Sequence, residues 1–208
     1  MNYHIPLVAD NFYHLFNRAV GQEKLFQSNE NYLYFLNRMK HHVLPVADLY
    51  AYSLLPNHFH LVVRIKGENE LMDYFEVKKG KRFNVVENFL SDFIMEQFSN
   101  WLNGYTKAFN KMYKRKGGLF MDYIKRSEAT KDSSLTSFIF YVHKNAVHHG
   151  LTKKIGDWTF DSYNSIVSMK PTTLKRSEVI EWFGSLKHFV EFHEQPIDLK
   201  NEDIDLNL

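Results

Sequence analysis

Two histidines separated by a single residue, His58 and His60, form the sharpest chemical signal in the sequence. Residues 58–65 are predicted to form a strand, and side chains two residues apart in a strand leave the same face of the sheet. Two neutral imidazoles placed side by side can share a divalent metal ion. Such a pair also occurs on solvent faces or hydrogen-bonded beneath a helix, so the spacing alone leaves both interpretations open.

A tyrosine and an asparagine four residues apart, Tyr141 and Asn145, provide the second signal. Residues 133–148 are predicted to form a helix, and positions four apart share one helical face. Asparagine offers a neutral oxygen ligand, and a tyrosine phenol is a nucleophile once it becomes phenolate. A single helical tyrosine is more often a packing residue. Three further histidines of this segment are expected to be surface or backbone-contacting residues: His143, His148 and His149.

The elements that would position these residues alternate between strands and helices. Strands are predicted at residues 12–18, 47–55, 58–65 and 119–128, and helices at 29–42, 89–113, 133–148, 177–182 and 186–193. The turn Pro56-Asn57 is too short for a parallel crossover, so the strands that flank it are antiparallel. Helices on an antiparallel sheet predict an α+β fold of ferredoxin-like type. Residues 67–88, which include a basic cluster, are predicted to be a loop or flap.

The composition is that of a globular protein, with 44% hydrophobic and 24% charged residues over 208 positions. The absence of cysteine excludes a disulfide scaffold, a thiolate zinc site and a cysteine nucleophile. Residues 190–208 contain six acidic residues and one lysine, whereas the rest carries 25 Lys and Arg against 18 Asp and Glu. A basic body favours a polyanionic partner. No signal peptide or apolar run of membrane-spanning length is evident, so we expect a cytoplasmic protein.

Five segments resemble, in the same order, motifs of the HUH single-tyrosine transposases, and in particular their branch associated with repetitive extragenic palindromes (REP). They are FYHLFNRAV (12–20), LLPNHFHLVVRI (54–65), YTKAFNKMYKRKGGLF (105–120), YVHKNAVHHGL (141–151) and DWTFDSY (157–163). Five motifs in order are far more specific than any one of them. Ala146 departs from the family, which usually has proline there, and residues 67–88 and 166–208 match poorly.

The resemblance implies that His58, His60 and Asn145 hold a divalent metal, Mg²⁺ or Mn²⁺, and that Tyr141 is the catalytic nucleophile. It implies a transposase or strand transferase that acts on single-stranded DNA and recognises DNA hairpins. Tyr141 would attack a phosphorus, leaving a 5′-phosphotyrosine and a free 3′-hydroxyl, and reversal of this step would join strands without ATP. We accordingly expect a catalytic domain at 1–165 and, at 166–208, a helical extension that ends in an acidic tail.

A basic stretch between the two motifs is predicted to bind DNA phosphates, with neighbouring aromatic residues available to stack on bases. Its cations are Lys107, Lys111, Lys114, Arg115, Lys116, Lys125 and Arg126, and its aromatic residues are Tyr105, Phe109, Tyr113 and Phe120. The alternative is a solvated basic helix face above buried aromatic residues, which the same spacing fits equally well.

Three other functions stay open at this point. The first is a domesticated hairpin-binding protein that no longer cleaves DNA. The second is another HUH endonuclease, a replication initiator or a relaxase, although the tyrosine of relaxases tends to be N-terminal. The third is a metal hydrolase that uses water, with Tyr141 structural. The target sequence is also open, as is the oligomeric state, because family members with the tyrosine acting in trans are dimers whereas the REP-associated branch includes monomers.

Overall fold

The computed structural model describes residues 5–82, 89–121, 123–129 and 132–195, without the side chains of 132–134. Its elements are β1 Phe12–Arg18, α1 Asn29–His42, β2 Ala47–Leu55, β3 His58–Ile65, α2 Glu68–Lys79, α3 Phe89–Met112, β4 Lys125–Glu128, α4 Asp132–His148, α5 Tyr163–Val167, α6 Arg176–Trp182 and α7 Leu186–His193. The last part of the predicted acidic tail, residues 196–208, lies outside the described residues.

The four strands form one antiparallel sheet in the order β2-β3-β1-β4. This order, with helical crossovers after β1 and after β3, is the ferredoxin-like arrangement, so the predicted fold class is confirmed. The tight turn at Pro56-Asn57 pairs β2 directly with β3, and Ser53 lies opposite His60 in that pairing. The register therefore places the predicted histidine pair on a central strand.

The two faces of β3 carry different kinds of side chain. Phe59 projects from one face and is enclosed by α1 and α3, where the rings of Phe35 and Trp101 lie 5.3 and 5.2 Å from its ring. His58 and His60 project from the other face, which α4 covers. The alternation of a strand thus anchors one set of residues in an aromatic core and presents the other set to α4.

Two predicted elements differ from the structure. Residues 68–79 form helix α2, so the prediction of a loop or flap is wrong there; Leu71 and Phe75 are buried one turn apart, and Gly80 ends the helix with φ 65°. Residues 83–88 lie outside the described part of the chain. The strand predicted at 119–128 is described as a strand only at 125–128, and among the described residues before it Phe120 forms a single bridge, with Ala19.

The segment after α4 closes the open edge of β2. The amide of Leu54 donates to the carbonyl of Phe160, and the amide of Ser162 donates to the carbonyl of Tyr52, both at 2.9 Å. Covering an edge strand in this way removes a row of unpaired backbone groups. Helices α6 and α7 then contact α4. The division at residue 165 stays a prediction. Among the helices of the described residues, none combines the length and apolarity that crossing a membrane requires.

A buried carboxylate at the start of β2 yields a test of this packing. Asp48 lies 2.8 Å from Arg64 Nη2, 3.4 Å from Lys66 Nζ and 3.5 Å from Lys175 Nζ. Burial alone would raise the pKa of Asp48, but these cations hold it below its ordinary value. Asp48→Asn should lower the free energy of unfolding by roughly 1.5–3 kcal/mol at neutral pH, as expected for a hydrogen bond to a charged group.

The depressed pKa also fixes how this effect depends on pH. The contribution of Asp48 is present above the pKa of an unfolded aspartate and is lost as the pH falls through the lower pKa of the folded protein. Denaturant unfolding of wild type and variant should therefore converge in acid. Glu70→Gln, which removes an exposed partner of Lys66, is the matched control with little expected effect. A difference that is constant with pH would contradict this account.

Candidate active site between the sheet and helix α4

His58 and His60 are both buried, and one ring nitrogen of each has a hydrogen-bond partner. His58 Nδ1 lies 2.8 Å from Asn57 Oδ1, and His60 Nδ1 lies 3.0 Å from His14 Nε2. Because Asn57 Oδ1 only accepts, the proton of a neutral His58 is on Nδ1 and its Nε2 is an acceptor. The Nε2 atoms of both His58 and His60 are buried without a partner.

The side chain of Asn145, on α4, likewise has one polar atom with a hydrogen-bond partner and one without. Its Nδ2 donates to the carbonyl oxygen of Tyr141 at 2.7 Å. A carbonyl oxygen cannot donate, so this bond fixes which end of the amide carries the oxygen. The Oδ1 of Asn145 is buried and has no partner. Asn145 therefore offers a free oxygen acceptor within the protein interior.

Helix α4 packs over β3, and its ring contacts with the two histidines lie on either side of Asn145 along the chain. One turn before Asn145, the ring of Tyr141 meets His60 edge-on with centroids 5.5 Å apart. One turn after it, the ring of His149 meets His58 at 4.7 Å. Positions 141, 145 and 149 share one helical face, so Asn145 lies between the two contacts. The structure thus brings the four predicted site residues together.

Three buried atoms have no partner, His58 Nε2, His60 Nε2 and Asn145 Oδ1, and all three are acceptors that fit a divalent metal ion when His60 Nδ1 donates to His14 Nε2. A buried acceptor without a partner costs about 1–3 kcal/mol, and one cation could satisfy all three. The described residues include no group of three or more His, Asp and Glu that could hold a metal, so the candidate set depends on the amide oxygen as its third ligand. Three protein ligands leave coordination positions for substrate oxygens.

Tyr141 is only partly buried, in contrast to the candidate ligands. Burial raises the pKa of Tyr141 to about 12, and the side chain of Asn145 offsets only part of this rise. His14 lies 5.5 Å from the phenol ring between ring centroids, and Lys144 Nζ lies 5.4 Å from the ring. In the protein alone the phenol is therefore neutral near neutral pH, and it must lose its proton before or during nucleophilic attack.

Sequence reasoning missed two of the histidines that matter here. His14 lies within the first of the five motifs, but its contact with His60 follows from the pairing of β1 with β3, which places Phe16 opposite His60. His143 is fully buried and hydrogen-bonded to side chains, so the expectation of a surface or backbone-contacting residue is wrong. No local signal distinguishes either residue, because both contacts join distant parts of the chain. His148 is exposed, as expected.

The predicted DNA-binding cations do not form one continuous surface. Four are exposed on α3 and the turn that follows it: Lys107, Lys111, Lys114 and Lys116. Arg115 is instead engaged within the protein, since its Nη2 lies 2.6 Å from Glu23 Oε1 and 2.6 Å from the carbonyl oxygen of Gly118. Arg115 thereby holds the turn that carries its two neighbouring lysines.

The two cations of β4 lie on opposite faces of the sheet, as alternation along a strand requires. Arg126 is buried on the side of α3, with Nη1 2.7 Å from Met95 Sδ. Lys125 lies on the histidine face, with Nζ 5.8 Å from the ring of Phe16, and that ring stacks on His60. Lys125 is thus the predicted DNA-binding residue nearest to the candidate metal ligands.

The aromatic residues of the basic stretch belong mainly to the core. Tyr105 and Phe109 are buried beneath α1 and the turn, and Tyr105 donates a hydrogen bond of 2.5 Å to the carbonyl of Leu25. Tyr113 and Phe120 are half-buried and pack against the same cluster. For Tyr105 and Phe109, the alternative interpretation is therefore the right one: they are aromatic residues buried beneath a basic helix face.

The fold is similar to that of a solved structure of a REP-associated tyrosine transposase bound to a REP hairpin. The two chains share 13% sequence identity and align with a TM-score of 0.53, over 82% of this chain and 88% of that chain. At this identity the similarity establishes a related fold. No protein-family model matches the sequence, and a search of curated proteins finds no match.

The contact between His14 and His60 predicts how metal affinity responds to mutation. His14→Phe keeps a ring of similar shape but removes the Nε2 atom that holds His60 Nδ1. Because such supporting hydrogen bonds orient a ligand, we expect the affinity for Mn²⁺ to fall about 10- to 100-fold in titration calorimetry. His42→Phe, which removes an imidazole bound to Arg38 on α1, is the control. Equal affinity of wild type and His14→Phe would refute the assigned orientation of His60.

Proposed function

We propose that this chain is a metal-dependent transposase or strand transferase that cleaves single-stranded DNA by tyrosine transesterification. The proposal is carried by one observation: Tyr141 meets His60 at the place where three buried acceptors have no partner. The similarity in fold to a hairpin-bound REP-associated tyrosine transposase supports the same function. We further propose DNA next to a hairpin as the substrate.

Each site residue has a distinct role in the proposed reaction. His58, His60 and Asn145 would hold Mg²⁺ or Mn²⁺, hard cations that suit phosphate oxygens, and the bound metal would supply Lewis-acid stabilisation of charge on the scissile phosphate. Tyr141 Oη attacks the phosphorus as the phenol loses its proton, and the bond from phosphorus to the 3′-oxygen breaks. The products are a 5′-phosphotyrosine and a 3′-hydroxyl, once the departing oxygen takes up a proton.

The same residues run the reaction in reverse to join strands. A 3′-hydroxyl attacks the phosphotyrosine, a phosphodiester forms, and the phenol of Tyr141 is released. The number of phosphoester bonds is unchanged, so the step needs no ATP. The raised pKa of Tyr141 makes its phenol a poor nucleophile until substrate and site are assembled, which limits reaction with other phosphates.

The contact of Tyr141 with His60 occurs within one chain, which supports a tyrosine that acts in its own subunit. The end of the sheet at which His58 lies also supports a path for the DNA strand. Arg18 pairs with His58, and its carbonyl accepts from the amide of Met121, which follows the turn that carries the exposed lysines. A DNA strand bound along this end of the sheet would pass from that turn to the site.

A hairpin-binding protein without cleavage activity is the second candidate. It is favoured by the burial of Tyr141, which raises the pKa of the phenol and keeps it in its unreactive form. The two functions differ in one product. A transposase leaves a covalent link between protein and DNA, whereas a binding protein releases its DNA unchanged.

Substitution of the proposed nucleophile gives the primary test. Tyr141→Phe removes one oxygen from an otherwise unchanged ring, so covalent adduct formation should be abolished while DNA affinity is retained. The measurement is a denaturing gel of full-length protein with end-labelled hairpin DNA from its own genomic flank, in Mn²⁺ and in EDTA. Tyr34→Phe, at an exposed tyrosine of α1, is the matched control. An adduct that survives in Tyr141→Phe would exclude this residue as the nucleophile.

Substitutions of two neighbouring cations, Lys116 and Arg115, should have different effects: one on DNA binding and the other on stability. Lys116→Gln removes an exposed charge, so the slope of log affinity against log salt should decrease by about 0.7–0.9 for each phosphate that this lysine neutralises, with the Tm unchanged. Arg115→Gln breaks the pair with Glu23, so the Tm should fall. Salt-dependent fluorescence anisotropy and thermal unfolding measure the two effects. A lower Tm with an unchanged salt slope in Lys116→Gln, together with an unchanged Tm in Arg115→Gln, would contradict these roles.

A further inference from the structure

A chain of hydrogen bonds runs along the side of α4 that faces away from Tyr141. Its centre is His143, which is fully buried, with Nε2 2.8 Å from Ser162 Oγ and Nδ1 2.9 Å from His193 Nε2. Both ends of the chain reach backbone groups. Ser162 Oγ accepts from the amide of Tyr52 at 2.8 Å, and His193 Nδ1 lies 2.7 Å from the carbonyl oxygen of Phe189.

One arrangement of protons satisfies every bond of this chain with neutral rings. The carbonyl of Phe189 only accepts, so His193 Nδ1 donates. Burial lowers the pKa of His193 to about 4, so the ring is neutral at neutral pH and its Nε2 accepts from His143 Nδ1. His143 Nε2 then accepts from the hydroxyl of Ser162 at 2.8 Å, because the Nδ1 of this ring already donates to His193. Each donor therefore meets an acceptor.

The position of His143 relates this chain to the candidate site. His143 is two residues from both Tyr141 and Asn145, so it projects from the opposite side of α4, roughly 160–200° around the axis. Ser162 is bound to Tyr52 of β2 by two hydrogen bonds. Tyr52 lies opposite Leu61, the neighbour of His60 in β3. The chain therefore ties α4 to the sheet that carries the candidate ligands.

Small rotations of α4 would matter to the proposed chemistry. An atom about 6 Å from a helix axis moves by about 1 Å when the helix rotates by about 10°. A misplacement of about 1 Å can cost about 100-fold in rate. Tyr141 and Asn145 both project from this helix, and the bonds of His143 resist such a rotation from the other side.

We propose that His143 is a positioning residue, which sets the rotation of α4 through Ser162 and His193 and thereby places Tyr141 and Asn145 over the histidine pair. Helix α7, through His193, is then part of the active-site apparatus. The roles of Tyr141 and Asn145 in this inference rest on the proposed function, whereas the hydrogen-bond chain does not.

Three substitutions test the chain, with one matched control. Ser162→Ala removes the hydroxyl that donates to His143, and His193→Leu removes the acceptor at the other end. His193→Gln keeps an acceptor oxygen near the position of Nε2. The control, Ser185→Ala, removes a hydroxyl that accepts from the amide of His188 at the start of α7 and does not contact His143.

The kinetic measurement is the single-turnover rate of adduct formation at saturating hairpin DNA, with the DNA dissociation constant measured separately. Ser162→Ala and His193→Leu should slow the rate about 10- to 100-fold at unchanged DNA affinity. His193→Gln should restore most of the rate that His193→Leu removes, and Ser185→Ala should lower the Tm without slowing the reaction. A wild-type rate in Ser162→Ala, or an equally slow reaction in Ser185→Ala, would overturn the positioning role.

Two measurements without cleavage separate this inference from the proposed function. In ¹⁵N spectra of the full chain, the ring proton of both His143 and His193 should be on Nδ1; a ring protonated at Nε2 would overturn the proposal. Ser162→Ala should also weaken Mn²⁺ binding about 10-fold, because Asn145 moves, whereas Ser185→Ala should not. If wild type forms no adduct but these results hold, the proposed cleavage fails and the positioning of Asn145 stands. Unchanged Mn²⁺ affinity in Ser162→Ala would refute that positioning.

Discussion

The packing of α4 against the histidine face of the sheet is the contact on which the candidate site depends. β3 supplies two imidazoles on one face by its alternation, and α4 supplies Tyr141 and Asn145 on one face by its helical period. Neither element makes a site alone. The contacts of Tyr141 with His60 and of His149 with His58 bring this face of α4 against the histidine face of β3. Both contacts form only when α4 crosses β3 at one position and with one rotation about its own axis.

This contact encloses polar atoms that a protein interior ordinarily avoids. Three acceptors without partners are held together, while the second nitrogen of each imidazole and the nitrogen of the amide each have a hydrogen-bond partner. Packing on the opposite face of the sheet offsets the free-energy cost of burying these unpaired acceptors, because Phe59 and Trp101 lie there in an aromatic core beneath α1 and α3. The division between a stabilising face and a chemical face follows from strand alternation.

The sequence predicted the elements with a clear period and missed the features that depend on distant contacts. β1, β2, β3 and α1 have the predicted bounds, because their apolar residues recur at intervals of two or of three and four. Helix α2 was missed because only Leu71 and Phe75 mark its buried face. The positions of His14 and His143 follow from register and helix packing, and the pairing of Arg115 with Glu23 joins residues 92 positions apart. Such contacts leave no local pattern.

The central claim is that His58, His60 and Asn145 hold a metal ion beside Tyr141. Anomalous diffraction from crystals of the full chain grown with Mn²⁺ tests it most directly, because the signal locates the ion without reference to activity. We expect one strong anomalous peak bonded to His58 Nε2, His60 Nε2 and Asn145 Oδ1. An ion bound elsewhere, or no peak at these three atoms at saturating Mn²⁺, would contradict the account.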